Sequence, residues 1–454
     1  MKLRLKDIYL ITRAIGELKG QEDKAIKGIK IDSRLVEEGD IFFCIRGNRF
    51  DGHSFAQEAE KKGALALVVH RPLEYEPHIP VLLVDDTIKA LGRVANFLRK
   101  NSKAKVVAFT GSAGKTTTKE IAYFLLKQRH KVERNFKNWN NQIGIPLSIF
   151  NFSGEEDIWL LEVGINNTYD MDELGEIVAP DVAVILNVGP CHLEGLKNVK
   201  EVAKNKMKLL QFLTSSGISF INDKYLELVE EAKKYPRVNK IYFKQEDSIQ
   251  VKFKGISKDK KGVFIIKWIG EEFEVELPFW GIQFEDNLKC ALLLSKYFSL
   301  TKEEVIQGLK TIELPQHRFN FFQQGVFGVI DDSYNANPLS MRASLYSAKT
   351  IANELPLILV LGDMAELGAA TEEEHLNLGK LLREINPYLI FYKGKNYRFV
   401  AQGYGKEDSI LEVNNEDEFI SYIKNYNLKK GLFLFKASRS IGLDNFVNKF
   451  KREF

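Results

Sequence analysis

The apolar run Lys105-Val106-Val107-Ala108-Phe109 leads straight into Thr110-Gly111-Ser112-Ala113-Gly114-Lys115-Thr116-Thr117, and an amphipathic stretch, TTKEIAYFLLKQ, follows without a spacer. A strand that becomes a helix through a turn with two glycines leaves few folds open. Glycines let backbone N–H groups curl around an anion, and the helix N-terminus adds its positive dipole end. In a phosphate loop of this kind Lys115 would contact the β- and γ-phosphates and the Thr116 hydroxyl would ligate Mg2+. Phe109 stands at the first glycine of the longer G-x-x-x-x-G-K-[ST] pattern, so this is a shorter G-x-x-G-K-T form. The alternative is an ordinary glycine turn between a strand and a helix.

The same alternation of apolar runs and helical periodicity continues along the 454 residues. At about 150 residues per domain, that length suggests roughly three domains. Residues 1–102 mix DIFFCI, ALALVV and IPVLLV with helical stretches, the last being TIKALGRVANFLRK. Residues 103–313 continue from the glycine turn through DIWLLEV, DVAVILNV, a long helix from Val199 to Leu213, ISFIN and a helix near Asn287 to Phe298. Residues 314–454 alternate GVFGVID, a helix after Pro338, PLILVLG, a helix through His375, YLIFYKG, a helix near Asp417 to Tyr426, GLFLF and a last helix. Strands separated by helices indicate βαβ units on parallel sheets. The expected class is α/β in three domains, 1–102, 103–313 and 314–454, with a central phosphate-loop parallel sheet and a C-terminal Rossmann-like domain. Ligands then bind beyond the carboxyl ends of the strands.

Composition narrows the function classes. With 44% hydrophobic and 28% charged residues the chain has ample core material, and no apolar stretch approaches the roughly 20 residues of a membrane span. Charges interrupt Met1 to Gly16, so no signal peptide is read and a cytoplasmic protein is expected. Cys44, Cys191 and Cys290 are too far apart for a disulfide framework or a zinc site. Net charge is only +4. The basic run Lys252, Lys254, Lys258, Lys260 and Lys261 reads as the solvated turn of a hairpin before VFIIKWI, so no nucleic-acid partner is expected.

Several residues stand where chemistry is expected. Glu162 ends the strand DIWLLEV, on the sheet edge where an acidic Mg2+ partner would be placed; a solvent-facing strand-end acid is the alternative. His192 follows the strand Val182 to Val188 and emerges at the same edge. On the helix from Val199, Lys206 interrupts the apolar stripe of Val199, Val202, Ala203, Leu209, Leu210 and Leu213. Its stem could lie along apolar surface with the head in water, or the amine could point inward, where burial lowers its pKa. Asn337-Pro338 reads as a helix cap, just downstream of Asp331 and Asp332 at a strand end.

Taken in order, these residues resemble the central domain of the Mur ligases, ATP-dependent amide-forming enzymes. The matching stretches are the TG-x-x-GKT loop at Thr110 to Thr116, E-x-G at Glu162 and Gly164, His192 in PCHLEG and Lys206 in VAKNK. DSR at 32–34, GDIFFCIRG at 39–47 and DGHSF at 51–55 are similar to the layout shared by the branches adding the third and the last peptide portion, which there holds the UDP end of the substrate, while NNQIGIPLS at 140–148, DDSYNANPLSM at 331–341 and LGDMAELG at 361–368 are similar to the branch that adds D-alanyl-D-alanine to UDP-N-acetylmuramoyl-tripeptide. The DNPR motif of the branch adding the third amino acid is absent.

The resemblance implies ATP and Mg2+ as cofactors, a Lys206 carbamylated by CO2, and those two substrates as partners of a monomer. It implies catalytic roles for Lys115, Lys206, His192 and Arg318, and metal ligation by Thr116, Glu162, His192 and Lys206. Thr110, Gly111, Ser112, Ala113, Gly114, Lys115, Thr116, Thr117, Asn287, Arg318, Asp332 and Asn335 would bind the nucleotide. Ser33, Arg34, Gly47, Asp51, Gly52, His53, Asn140 and Asn141 would bind the UDP-linked substrate. Four stretches depart from the family pattern, INNTYDMDEL after Glu162 and Met207-Lys208 after Lys206 being two of them. Gly281-Ile282-Gln283-Phe284-Glu285-Asp286-Asn287 replaces G-x-H-N-x-x-N, and Ala437 replaces a glycine in Lys436-Ala437-Ser438-Arg439, where the backbone is expected to differ. The alternatives are another amide ligase of the superfamily, third-residue-adding or folylpolyglutamate synthase-like, or a non-catalytic nucleotide-binding regulator.

Overall fold

The computed structural model describes residues 3–47, 49–136, 138–405 and 409–454; Met1 and Lys2, read above with the first segment, lie outside them. Four sheets organise the chain. The first is parallel, ordered β1 (Ile29–Lys30), β2 (Ile41–Phe43), β3 (Ala66–Val69), β4 (Val81–Leu83). The second contains β5 (Lys105–Thr110), β6 (Val132–Arg134), β7 (Ile158–Glu162), β8 (Val182–Ile185), β9 (Ile218–Ile221) and β10 (Asn239–Tyr242). All its pairings are parallel and its order is β10-β9-β8-β5-β7-β6.

Strands β7, β8 and β9 are buried along their whole length. Helices cover both faces of such a sheet, and so its strands read as continuous apolar runs rather than alternations. In the strand order, β5 lies between β7 and β8, where the direction of winding reverses. A crevice opens at such a point outside the carboxyl ends.

A third sheet, β11 (Ile249–Ile256), β12 (Gly262–Trp268) and β13 (Glu271–Leu277), is antiparallel. Its first two strands form the expected hairpin around the basic run; β13 is an addition, because the acid-rich EEFEVEL carries little apolar signal. Its burial alternates along β12, as one solvated face requires. The last sheet runs β14 (Asn320–Gln324), β15 (Phe327–Asp331), β19 (Gly431–Lys436), β16 (Leu357–Gly362), β17 (Leu389–Lys393), β18 (Ile410–Glu412), with β14 antiparallel at one edge and the rest parallel. The α/β class with parallel sheets holds. No helix among the described residues is long and apolar enough to cross a membrane.

Two boundaries differ from expectation. Strand β8 stops at Ile185, three residues early, and Leu186 to Val188 leave the sheet toward the crevice. The helix from Val199 ends at Met207, and the chain tightens into a 3-10 turn over Lys208–Phe212 that still buries Leu209 and Leu210.

The first and second sheets are joined by a buried ion pair. Arg99, on the helix Thr87–Asn101, donates to Asp181 Oδ2 at 2.6 Å and to the carbonyls of Val178 and Ala179 at 3.1 Å each. Burial alone would raise the Asp181 carboxyl; the Val106 N–H bond and the Arg99 and Lys105 charges outweigh it and hold it below its ordinary value. Removing one member strands a buried charge. Asp181→Ala is therefore expected to lose about 3–5 kcal/mol in urea denaturation at pH 7. A carboxyl whose native pKa is depressed stabilises above its unfolded pKa, near 4, and loses that contribution as pH falls through the native value. The gap between wild type and variant should thus narrow below about pH 4.

Candidate active site

The turn after β5 is shaped by residues from three directions. Gly114 has φ +76°, the left-handed region, and a Cβ there would stand 2.8 Å from Asn287 Nδ2. Asn287, on the helix Phe284–Tyr297, donates to the Gly114 carbonyl at 3.2 Å. Asn187, just past β8, accepts from Ala113 N–H at 2.8 Å and donates to the Ala113 carbonyl at 2.9 Å. Asn337 caps the helix Pro338–Ala352 and also donates to the Ser112 carbonyl at 2.9 Å. The expected cap is present, and its amide grips the glycine turn as well.

Thr117 is buried, and so is Thr110, whose hydroxyl has no partner among the described residues. Lys115 folds back, donating to the Gly111 carbonyl at 2.8 Å. The helix Lys115–Leu126 begins there, and its first N–H groups lack intrahelical partners. This is an anion cradle with a cation at its lip.

Glu162 ends β7 and is 2% exposed. Its Oε2 accepts from the Thr116 hydroxyl at 2.7 Å and its Oε1 from Asn140 Nδ2 at 2.7 Å. The Asn135 side chain acts as a surrogate peptide, accepting from Glu162 N–H at 2.9 Å and donating to its carbonyl at 3.1 Å. Buried Lys119 donates to the Asn135 carbonyl at 2.6 Å. Burial would raise the Glu162 carboxyl, but Lys115 and Lys119, with the Thr116 bond, outweigh it and hold it below its ordinary value. It is an ionised, solvent-shielded carboxylate. Arg318 reaches Thr116 Oγ1 at 3.2 Å from the far side, its guanidinium 3.7 Å above the Tyr334 ring.

Lys206 is 1% exposed, so its head is not in water. Burial lowers its pKa to about 8, with Cys191 raising it and Lys115 lowering it further. Of these two neighbours, Lys115 follows the glycine turn directly and Cys191 Sγ donates to Ser112 Oγ within it at 3.0 Å. His192 has φ +52° and its Nδ1–H donates to Glu366, a residue of the last sheet's loops. That bond, against the effect of burial, holds the Glu366 carboxyl below its ordinary value.

These groups surround a cavity of about 1390 Å³ between the sheets, with Lys115, Thr116, Glu162, His192, Asn287 and Arg318 in its wall. Asp332 and Asn335 line it as well. Asp332 is held by Lys436 and Ser344, each at 2.6 Å, and Asn335 Oδ1 accepts from Ala336 N–H at 2.9 Å. Thr116 and Glu162 supply hard oxygen donors. Mg2+ takes one or two carboxylates and keeps waters and phosphates for the rest, which suits this pair. Among the described residues no group of three or more His, Cys, Asp or Glu forms a protein-only metal cage.

The substrate-side residues divide. Asn140 and Asn141 line the cavity, Asn141 Oδ1 also accepting from the N–H of Gly144, the first residue of the helix Gly144–Phe150, at 2.8 Å. Ser33, Arg34, Gly47, Asp51, Gly52 and His53 lie apart from it, around the first sheet. Ser33 donates to Glu58 at 2.8 Å, Arg34 pairs with Asp32 at 2.6 Å, and Gly47 N–H donates to Phe50 O at 2.9 Å. Asp51 holds His53 Nδ1 at 2.7 Å and Arg71 at 3.2 Å. Gly52 packs so closely that a Cβ would meet Ile45 N at 2.6 Å.

Sequence reasoning missed Asn135, Asn187, Lys119, Tyr334 and Glu366. The strand-end place of Asn187 in LNVGP and the place of Glu366 in LGDMAELG were the available signals. Ala437 is fully buried and has no positive φ, so the backbone there suits an alanine.

Gly114→Ala tests the cradle. Left-handed strain and the clash with Asn287 are expected to weaken ADP binding tenfold or more in calorimetry, about 1.4 kcal/mol.

Comparison with known proteins follows the same order along the chain. The Mur ligase family catalytic domain matches residues 25–99, the Mur ligase middle domain 109–295, and the Mur ligase glutamate ligase domain 317–439. The UDP-N-acetylmuramoyl-tripeptide–D-alanyl-D-alanine ligase of Bacillus subtilis is 30% identical over 433 residues, covering 94% of this chain and 93% of that protein. The Escherichia coli ligase of the same name is 31% identical over 401 residues, 86% of each. MurF from Acinetobacter baumannii superposes with a TM-score of 0.90 at 26% identity, over 100% of this chain and 99% of that one. MurF from Thermotoga maritima in complex with ADP gives 0.82 at 28% identity, over 94% and 97%. With three family domains in order and full-length relatives at this identity, the chain belongs to the Mur ligase family.

Proposed function

We propose that this protein joins D-alanyl-D-alanine to UDP-N-acetylmuramoyl-tripeptide, with ATP converted to ADP and phosphate, in peptidoglycan precursor synthesis. The carrying observation is the convergence of Lys115, Thr116, Glu162 and Arg318 at the carboxyl ends of β5 and β7. Two of its hydrogen bonds, Thr116 to Glu162 and Arg318 to Thr116, tie segments far apart in sequence.

Amide formation from a carboxylate and an amine at neutral pH needs an activated carboxyl. The tripeptide's terminal carboxylate oxygen takes the γ-phosphoryl group of ATP, releasing ADP and giving an acyl phosphate. The D-alanyl-D-alanine amine then attacks the acyl carbon, the C–O bond to phosphate breaks with its electron pair, and the nitrogen sheds a proton. Lys115, freed from the Gly111 carbonyl, and Arg318 neutralise charge on the transferred oxygens. Thr116 and Glu162 would hold Mg2+, and His192 with carbamylated Lys206 would hold a second ion, which supplies charge neutralisation at the phosphates. The buried, low-pKa amine of Lys206 supports its reaction with CO2.

Residues 1–102, with Ser33, Arg34, Gly47, Asp51, Gly52 and His53, would take the UDP end, 103–313 the ATP, and 314–454 would close over it and exclude water. This reading makes the protein a cytoplasmic monomer.

Phosphate release should require ATP, the tripeptide nucleotide and D-alanyl-D-alanine together. Release with a single amino acid or a folate acceptor in place of the dipeptide would overturn the assignment. Lys115→Ala should lower kcat at least 100-fold, within the range seen for lost transition-state charge stabilisation, with unchanged thermal melting. Lys206→Ala should also inactivate, with partial recovery on adding short carboxylates. Full activity of that variant would remove the carbamate.

A further inference from the structure

His192 and Glu366 form a contact that the proposed chemistry leaves unexplained. They come from different blocks, one from the turn after β8 and the other from the loop after β16. Each is a non-glycine residue in the left-handed region, with φ +52° and +61°. Such strain persists only where the surroundings over-determine it, and it collects at functional sites.

The surroundings here are specific. Ala365 N–H donates to Ser438 Oγ at 2.7 Å and Met364 N–H to His375 Nε2 at 3.1 Å, fixing the Glu366 loop from within the last sheet. Glu194 N–H donates to the Glu366 carbonyl at 3.3 Å. A Cβ on Gly368, φ +53°, would stand 3.2 Å from the Glu194 Cα. The loop is therefore seated directly on the His192 turn, and both side chains face the cavity.

A carboxylate oxygen only accepts, so the bond from His192 to Glu366 calls for a proton on Nδ1; in the neutral imidazole that tautomer leaves Nε2 as the acceptor. Outer carboxylates of this kind orient histidines that ligate metals.

We infer that Glu366 is the positioning residue of His192, setting its tautomer and ring direction only when the C-terminal block is seated on the central one. Seating of that block therefore completes the site, a step that the phosphate loop alone does not control. The inference rests on the reading of His192 given above, and its test separates the two.

The first measurement needs no metal and no turnover. Nitrogen-15 NMR of the imidazoles in the full-length, metal-free protein, with His192 assigned from His192→Ala, should show His192 protonated on Nδ1. In Glu366→Ala the proton should move to Nε2, the form a free imidazole side chain prefers. An Nδ1 proton that stays in Glu366→Ala, or is absent from the wild type, overturns the inference.

The second measurement is a double-variant cycle. Glu366→Ala should lower kcat 10- to 100-fold, with KM for ATP changed less than threefold. His192→Ala/Glu366→Ala should be no slower than His192→Ala alone. Multiplying losses would show that Glu366 acts as a structural contact and not through His192, which overturns the inference. Wild-type turnover in His192→Ala would instead sink the reading of His192, while the NMR result still decides whether Glu366 sets its tautomer.

Discussion

A carboxylate kept ionised with 2% of its surface exposed is the demand around which the central block is arranged. Burying such a charge costs several kcal/mol unless it is paired and fully hydrogen-bonded. Glu162 meets that condition through Thr116 and Asn140 on its two oxygens, Asn135 on its backbone, and the charges of Lys115 and Lys119 nearby. These partners reach it only because β5 and β7 pair with Phe109 opposite Glu162. A slip of one residue would turn the side chain to the other face of the sheet and leave an unpaired buried charge.

The glycine turn is handled by neutral amides. Asn187, Asn287 and Asn337 each bond a backbone group of Ala113, Gly114 or Ser112. An amide satisfies a peptide group without adding charge, so the cations near the cradle, Lys115 and Arg318, are left for an anion. Asn337 belongs to the C-terminal block and Arg318 to the segment leading into it. The cradle is thus braced, and its charge completed, from outside the domain that forms it. A site assembled from separate blocks depends on their approach, the usual arrangement where a reactive intermediate must be kept from water.

Much of this was legible. The glycine turn between strand and helix, the α/β alternation, Glu162 at a strand end and Lys206 on an apolar stripe were all visible as patterns; the structure brings the glycine turn and Glu162 to one crevice and buries Lys206. Lys206 was ambiguous because helical periodicity says which face a residue occupies, not whether its amine escapes along the surface; packing buried it. Asn135 was not legible, since an asparagine in a loop carries no periodic signal; Asn187 had only its place past an apolar strand, and Glu366 only its place in LGDMAELG, neither of which names a partner. Strand β13 was hidden by its glutamates, which alternate with apolar residues on a sheet with one wet face.

Local patterning in the chain determined where strands and helices form and which short segments could cradle phosphate, because backbone geometry and apolar periodicity act over a few neighbours. Tertiary structure decided which distant side chains meet. Arg318 on Thr116, Asn337 on Ser112 and Glu366 on His192 join residues 202, 225 and 174 positions apart. Contacts of that span follow from sheet order and from how blocks seat on one another, and those are properties of the packed whole.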